Sequence, residues 1–448
     1  MSMFRPKLPR TVSNFSAVGT LMLLLCLLLA EQSPAQTLTT LHSFQATSSA
    51  VFTNDDGINP EAALLLSGNT FYGTTAAGGR TGNGTVFSIG KGGGNCTVLH
   101  DFPAVSHGTN IDGANPAAAL IIAGSTLYGT TPAGGSSGAG TVFKVNTDGT
   151  GFAVLYTFTG GTDGANPEAA LVLSGNTLYG TASAGGSGGK GAIFALNING
   201  TGFTNVYSFT ALPPFGSSQI NNDGANPLAG LILSGNTLYG TAANGGSGAF
   251  GTVFAVNTDG TGFSVLHNFS YADGGNPEAG LVLSGGILYG TTYDGGTTTY
   301  GTVFAVSTQG AGFTNLYTFT GSDGVSPVAG LVLSGNTLYG TASSGFTVND
   351  YGVAFALNIN GSGYTVLHIF AGQNPITAVP EGASPLAGMV LSGNTLYGTL
   401  SGKFDFGGAS ADGAVFSLNT DATGFNLMHN FAGPTNILVN GNLDGAVP

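Results

Sequence analysis

The chain has 448 residues, 78 of them glycine and none tryptophan; charged residues make up only 6%, and the formal net charge is −13. Beyond residue 35, five basic residues (Arg80, Lys91, Lys144, Lys190, Lys403) stand against twenty acidic ones, which excludes the clustered Lys and Arg that nucleic acid or an anionic membrane surface demands. Apolar residues make up 42% and are regularly patterned, so the chain does not have the composition of a disordered one.

Residues 1–35 read as a secretory signal peptide. Arg5, Lys7 and Arg10 form a basic opening, a nearly continuous apolar stretch runs from Ala17 to Ala30, and Ser33-Pro34-Ala35 supplies small residues before a cleavage point at Gln36. The apolar core is short for a spanning helix. Cys26 follows three leucines rather than the small residue that a lipid-attachment signal carries. The expected mature protein, residues 36–448, is therefore secreted, periplasmic or at the cell surface, without a membrane span. Cys96 is its only cysteine, so no intramolecular disulfide holds it and burial and backbone pairing must do so.

From there the chain repeats. The core Tyr-Gly-Thr recurs at Tyr72, Tyr128, Tyr179, Tyr239, Tyr289, Tyr339 and Tyr397, at spacings of 56, 51, 60, 50, 50 and 58 residues. A period of this size marks one supersecondary unit carrying loop insertions. The copy at 223–269 shows its elements. Leu228-Ala-Gly-Leu-Ile-Leu233 is an apolar run expected to be a buried inner strand, and Gly235-Asn236 suits a two-residue hairpin. Thr237–Thr241 and Thr252–Val256 are the second and third strands, separated by a Gly-rich loop. Phe263, Val265, His267 and Phe269 alternate along the fourth and are expected on one face.

Four short antiparallel strands per unit predict an all-β fold, a β-propeller of four-stranded blades, most simply seven. Thr37–Phe44 reads as an additional outer strand, and residues 443–448 resemble the opening of another blade. A truncated eight-bladed ring is therefore one alternative. A β-solenoid is the other, although Gly-Asn hairpins argue against its parallel coils.

The phrase Asp-Gly-Ala-Asn-Pro-Glu-Ala-Gly-Leu-Val-Leu-Ser-Gly-Asn-Thr-Leu-Tyr-Gly-Thr, followed by Gly-Gly and Gly-Thr-Val-Phe, resembles the Gloeo/Verruco ("GloVer") tandem repeat over residues ~50 to 431. The resemblance implies an exported bacterial repeat protein of choice-of-anchor type. The short, mostly polar tail after Phe431 departs from the C-terminal anchoring segment such proteins often carry.

Function is expected on the propeller face where the long insertions at 213–222, 372–382 and 401–413 fall, because binding concentrates on variable loops held by a rigid scaffold. A carboxylate opens every blade there: Asp56, Asp112, Asp163, Asp223, Asp273, Asp323 and Glu381. These form either an acidic ring that attracts a cation or a set of turn caps ahead of the Asn-Pro step. A Ca²⁺ site asks for several oxygens from one loop, a pattern approached only at Asn54-Asp55-Asp56 and Asn221-Asn222-Asp223; no other metal or cofactor is implied.

His42, His100, His267, His368 and His429 share one strand position with Tyr156, Tyr207 and Tyr317, which reads as aromatic packing rather than catalysis. No Gly-x-Ser-x-Gly elbow or phosphate-binding loop is present in the sequence. The residue before the Gly that opens the third strand is Phe250, Tyr300 and Tyr351 in three successive blades, with Tyr293, Asp294 and Asp350 in the same loops. Rings beside carboxylates suit a carbohydrate, and the competing reading is that the rings cover the apolar ends of neighbouring blades.

The expectation is a monomeric, non-catalytic binding or interaction scaffold whose partner is an extracellular glycan or a surface protein. The alternatives are a polysaccharide-acting enzyme using loop carboxylates such as Asp294 and Asp350, and a purely structural surface protein.

Overall fold

Each copy of the repeat phrase folds as one four-stranded antiparallel sheet, and seven such sheets stand in a ring, the arrangement of a seven-bladed β-propeller. The computed structural model describes residues 57–90, 96–104, 110–213, 220–345, 350–371, 384–400 and 411–432, with backbone alone at 350–351, 371, 411–415 and 427–432. The described residues belong to one compact unit, and none of them forms a helix long and apolar enough to cross a membrane. The expected signal peptide, the strand at Thr37–Phe44 and the tail after residue 432 lie outside them.

The fourth blade shows the pattern. Its strands are Ile232–Ser234, Thr237–Ala242, Thr252–Asn257 and Ser264–Asn268, each paired with the next. Ser234 pairs with Thr237 around Gly235, whose φ of 59° is what the two-residue hairpin demands of its first position. Two expectations need correction here. The inner strand was expected over Leu228–Leu233, but only Ile232–Ser234 pairs, and the residues before it run against the preceding, third blade instead. A Cβ on Gly230 would stand 3.2 Å from the Ala170 carbonyl oxygen. The outer strand also fails to alternate cleanly. A bulge between Val253 and Phe254 shifts the register, pairing Val253 with His267 but Phe254 with Val265. As a result Phe263 faces the third blade, whereas Leu266 and Phe269 face the fifth.

The hydrophobic core is a series of inter-blade joints, and each residue of Tyr-Gly-Thr serves one of them. Tyr239 is buried toward the fifth blade beside Val253 and Phe269. Gly240 makes room on the other side, where an added Cβ would lie 2.6 Å from Phe254 Cζ and 2.8 Å from Leu231 Cδ2. Thr241 Oγ1 donates to the Ala279 carbonyl of the next blade at 3.3 Å. The same glycine–phenylalanine approach recurs from Gly73 to Gly398, which is why the phrase tolerates no side chain at its centre.

The shared His/Tyr position of the outer strand supplies a second joint contact. His100 stacks on Phe152 at 3.4 Å, Tyr156 on Phe203 at 3.7 Å, Tyr207 on Phe263 at 3.7 Å and His267 on Phe313 at 3.5 Å. Tyr317 on Tyr364 and His368 on Phe425 continue the series at 3.8 and 3.5 Å. Every partner belongs to the following blade. Stacked and edge-on rings of this kind contribute roughly 0.5–1.5 kcal/mol per pair beyond the area they bury. In the first blade the partner position is Cys96, half-buried against Phe71, Phe87 and Ile89.

Candidate ligand-binding face

Two sets of loops meet on one face of the ring. The connection from each outer strand to the next blade pairs with that blade's loop between strands two and three: Ala225 N donates to Asn244 O at 2.6 Å, Gly275 N to Asp294 O at 2.8 Å and Val325 N to Ser344 O at 2.8 Å. On the opposite face the short turns bond one another, as when Thr258 N donates to Asn236 O at 2.8 Å. The second face is closed by uniform tight turns.

The residue opening strand three has one main-chain duty, which is to accept a hydrogen bond from the next blade. Asn276 N donates to Phe250 O at 3.0 Å and Ser326 N to Tyr300 O at 3.1 Å, as Asn226 N does to Lys190 O at 2.8 Å. That duty is indifferent to the side chain, so the side chain is free to vary. Phe250 and Tyr300 are each half-buried, but at different joints: Phe250 packs on the core between blades four and five, Tyr300 on that between five and six. Tyr351 and Asp350 open the third strand of blade six, with only their backbone described. The rings of Phe250 and Tyr300 therefore occupy successive joints rather than one site.

At the joint of blades four and five the face gathers a cluster of rings and a carboxyl. Phe250 lies 5.0 Å, ring to ring, from Tyr271. Gly275 sits beneath both rings: a Cβ there would lie 3.5 Å from each and 2.6 Å from Asp294 Oδ1. Tyr271 and Tyr293 are exposed, at 37% and 40%. Glu278 lies close enough to Asp294 to feel its charge. Burial pushes the Asp294 carboxyl above the usual range, and Glu278 is raised by burial first and then by Asp294. Asp294 Oδ1 is shut from solvent and has no hydrogen-bond partner.

Tyr271 and Glu278 were not singled out in the sequence. For Tyr271 the signal was there: Ser270-Tyr-Ala-Asp273 holds an aromatic ring where Thr320-Gly-Ser-Asp323 holds glycine.

The carboxylates that open the blades lie beside the outer strands. Asp163 accepts from Tyr156 Oη at 3.0 Å and Thr159 N at 2.8 Å; Asp223 accepts from Tyr207 Oη at 2.7 Å and Thr210 N at 2.9 Å. Asp273 bonds His267 Nε2 at 3.1 Å and accepts from Ser270 N at 2.8 Å, and Asp323 takes Tyr317 Oη and Thr320 N. Asp112 stands 3.2 Å from His100 Nε2. Asp56 and Glu381 lie outside the described residues.

Asp163, Asp223, Asp273 and Asp323 thus each fasten the loop to the stacking ring of the preceding blade's outer strand. Burial works against the charge of Asp163, but the bonds from Thr159 and Tyr156 outweigh it and hold the carboxyl below its usual range. The Tyr156 hydroxyl is pushed up to about 12 by burial and by that carboxylate. Burial lowers His100 to about 4, and lowers His267 against the pull of Asp273. Asn221, named with Asp223 for Ca²⁺, turns its amide inward: its Oδ1 accepts from Gly224 N at 3.0 Å and Gly246 N at 2.7 Å. Among the described residues no three His, Cys, Asp or Glu side chains converge as a metal centre.

Solved structures resemble the chain at low identity. A prolyl endopeptidase is 10% identical with a TM-score of 0.50 over 81% of this chain, and the chain spans 48% of that protein's length. A Mycobacterium tuberculosis puromycin-hydrolyzing peptidase is 13% identical with a TM-score of 0.49, over 90% of this chain and 58% of its own. The nidogen/laminin complex matches 66% of this chain and 90% of its own at 15% identity, with a TM-score of 0.38. At 10% identity the likeness to the prolyl endopeptidase is one of fold alone. No curated protein matches the sequence significantly. The Gloeobacter/Verrucomicrobia repeat matches residues 103–219 and 211–405, so the period, its Tyr-Gly-Thr joints and the blades they build place the chain in the Gloeobacter/Verrucomicrobia repeat family.

Proposed function

We propose that the protein is an exported, non-catalytic binding scaffold that takes a carbohydrate on its loop face, at the joint of blades four and five. The observation that carries this reading is the exposed Tyr271 ring, packed with Phe250 over the same Gly275 that Asp294 reaches, with exposed Tyr293 next to Asp294 in the chain. Exposed rings offer a flat apolar surface to sugar C–H groups, and a half-buried carboxyl at the edge of such rings offers an acceptor to hydroxyls. A rigid sheet scaffold carries the pair, so little ordering is required on binding.

Export rests on the basic, apolar and small-residue pattern of residues 1–35. A glycan-array screen of the secreted chain, followed by a reducing-sugar assay on each hit, tests the proposal. Retention of saccharides without release of reducing ends is expected. Release of reducing ends would favour a polysaccharide-acting enzyme, and retention of no glycan would refute the carbohydrate assignment.

A further inference from the structure

One joint of the propeller is built differently from the rest. Buried clusters join each blade to the next, from Tyr72 with Phe143 between blades one and two to Tyr339 with Phe416 between six and seven. The remaining joint lies between blade seven, strands Val390–Ser392 to Asn426–Ala432, and blade one. These two blades are not consecutive in the chain, so no connecting loop ties them directly.

Both walls of this joint are looser than their counterparts. Tyr397 faces it from blade seven and is half-buried, whereas the other six tyrosines of Tyr-Gly-Thr are only 5–8% exposed. Phe71, Phe87 and Ile89 face it from blade one, clustered with Leu64, Leu66 and Cys96 of the same blade. Phe71 and Ile89 keep 6% exposure, where Leu127 and Val145, their equivalents in blade two, have none.

Cys96 is the clearest departure. Its position presents the stacking ring in every later blade: Phe152, Phe203, Phe263, Phe313, Tyr364 and Phe425. Across the joint stands the register position of His429, which pairs with Val415 as His267 pairs with Val253. A thiol is not an aromatic ring, so the stack of the other six joints cannot form here. Phe71 stands where the other blades hold leucine, and aromatic volume has thus moved from the outer strand to the second. Parting any other joint leaves its two blades tied by a loop, which limits the freedom gained. This joint has neither that tie nor its stack.

We propose that the propeller has a seam: it opens reversibly between blades seven and one, ahead of every other joint and of global unfolding. Local opening of this kind is drawn from the least stabilised part of a fold.

The test is alkylation of buried thiols in the folded mature chain. Ile89→Cys and Val256→Cys, each made with Cys96→Ser, place a thiol at equivalent points of the third strand, since Ile89 pairs with Phe71 and Val256 with Leu238. Both sites are buried, so each thiol reacts when its joint opens. The thiol at the seam should react roughly tenfold faster or more, with a weak urea dependence that marks a small exposure of surface. Phe71→Leu/Cys96→Phe gives blade one the pair its sisters carry; used in place of Cys96→Ser, it should slow the seam thiol severalfold. In the otherwise unaltered chain the same double change should raise the melting temperature, a readout that needs no buried thiol. Equal alkylation at the two positions, reaction at the seam only with the urea dependence of global unfolding, or a melting temperature that stays or falls overturns the seam.

Discussion

Replacing Gly240 with alanine tests the packing logic of the repeat phrase. The new methyl would stand 2.6 Å from Phe254 Cζ, 2.8 Å from Leu231 Cδ2 and 3.1 Å from Phe254 Cε2. Phe254 is fully buried and packs edge-on to Phe209 of the preceding blade at 5.3 Å, so its ring cannot swing outward without opening that joint. Overpacking of this kind costs roughly 1–3 kcal/mol. The glycine's backbone is not in the left-handed region, so the loss arises from the contact and not from the main chain. Phe254→Leu alone should cost a comparable amount through the cavity it leaves. Together the two changes should cost clearly less than their sum, because the space lost by one is the space gained by the other. The assay is urea and thermal unfolding of the two single variants and the double. Additive losses, or a Gly240→Ala variant as stable as the wild type, would refute the assignment of this glycine to Phe254.

Further expectations follow from the joints and the termini. His100 and His267 have folded-state pKa values below the ordinary 6.5, His100 at about 4, so the folded protein prefers them neutral. Their contribution is present above pH 6.5 and lost as pH falls toward about 4. The melting temperature should drop over that window and drop less in His100→Phe/His267→Phe, which keeps the stacks; Asp112, raised by burial, acts in the opposite sense and blunts the effect. Asp223→Ala removes the acceptor of Tyr207 Oη and Thr210 N and should cost about 1–3 kcal/mol, equally with and without Ca²⁺. A Ca²⁺-dependent melting temperature that disappears in this variant would instead favour the cation-ring reading. Mass spectrometry of exported protein should find a mature N-terminus at or near Gln36, and full-length chain confined to the cytosol would contradict the signal-peptide reading.

The propeller was legible because Tyr-Gly-Thr, the Gly-Asn hairpin and the alternating strands recur at a fixed period, and each is a local pattern. The partners were not local. Nothing near Gly240 reveals that Phe254 will lie over it, and His267 stacks on Phe313, 46 positions downstream, across a joint that only the ring creates. The interchange of His and Tyr at that position did signal packing. The bulge beside Phe254 was hidden, since a register shift leaves no mark on hydrophobic alternation, and Phe263 was consequently placed on the wrong face. Of the candidate site, Tyr293 and Asp294 were legible as departures from the repeat, and Phe250 as a ring where other blades vary freely. Phe250 was grouped with Tyr300 by sequence spacing, whereas the geometry joins it to Tyr271, a residue supplied by the connection between blades.

The most direct test of a ligand site at this joint is saccharide binding by the Tyr271→Ala/Tyr293→Ala double variant, measured alongside its melting temperature. Both rings are exposed, so stability should change little, while binding should weaken by roughly 1 kcal/mol or more per ring. Undiminished binding in a fully folded double variant would contradict the account.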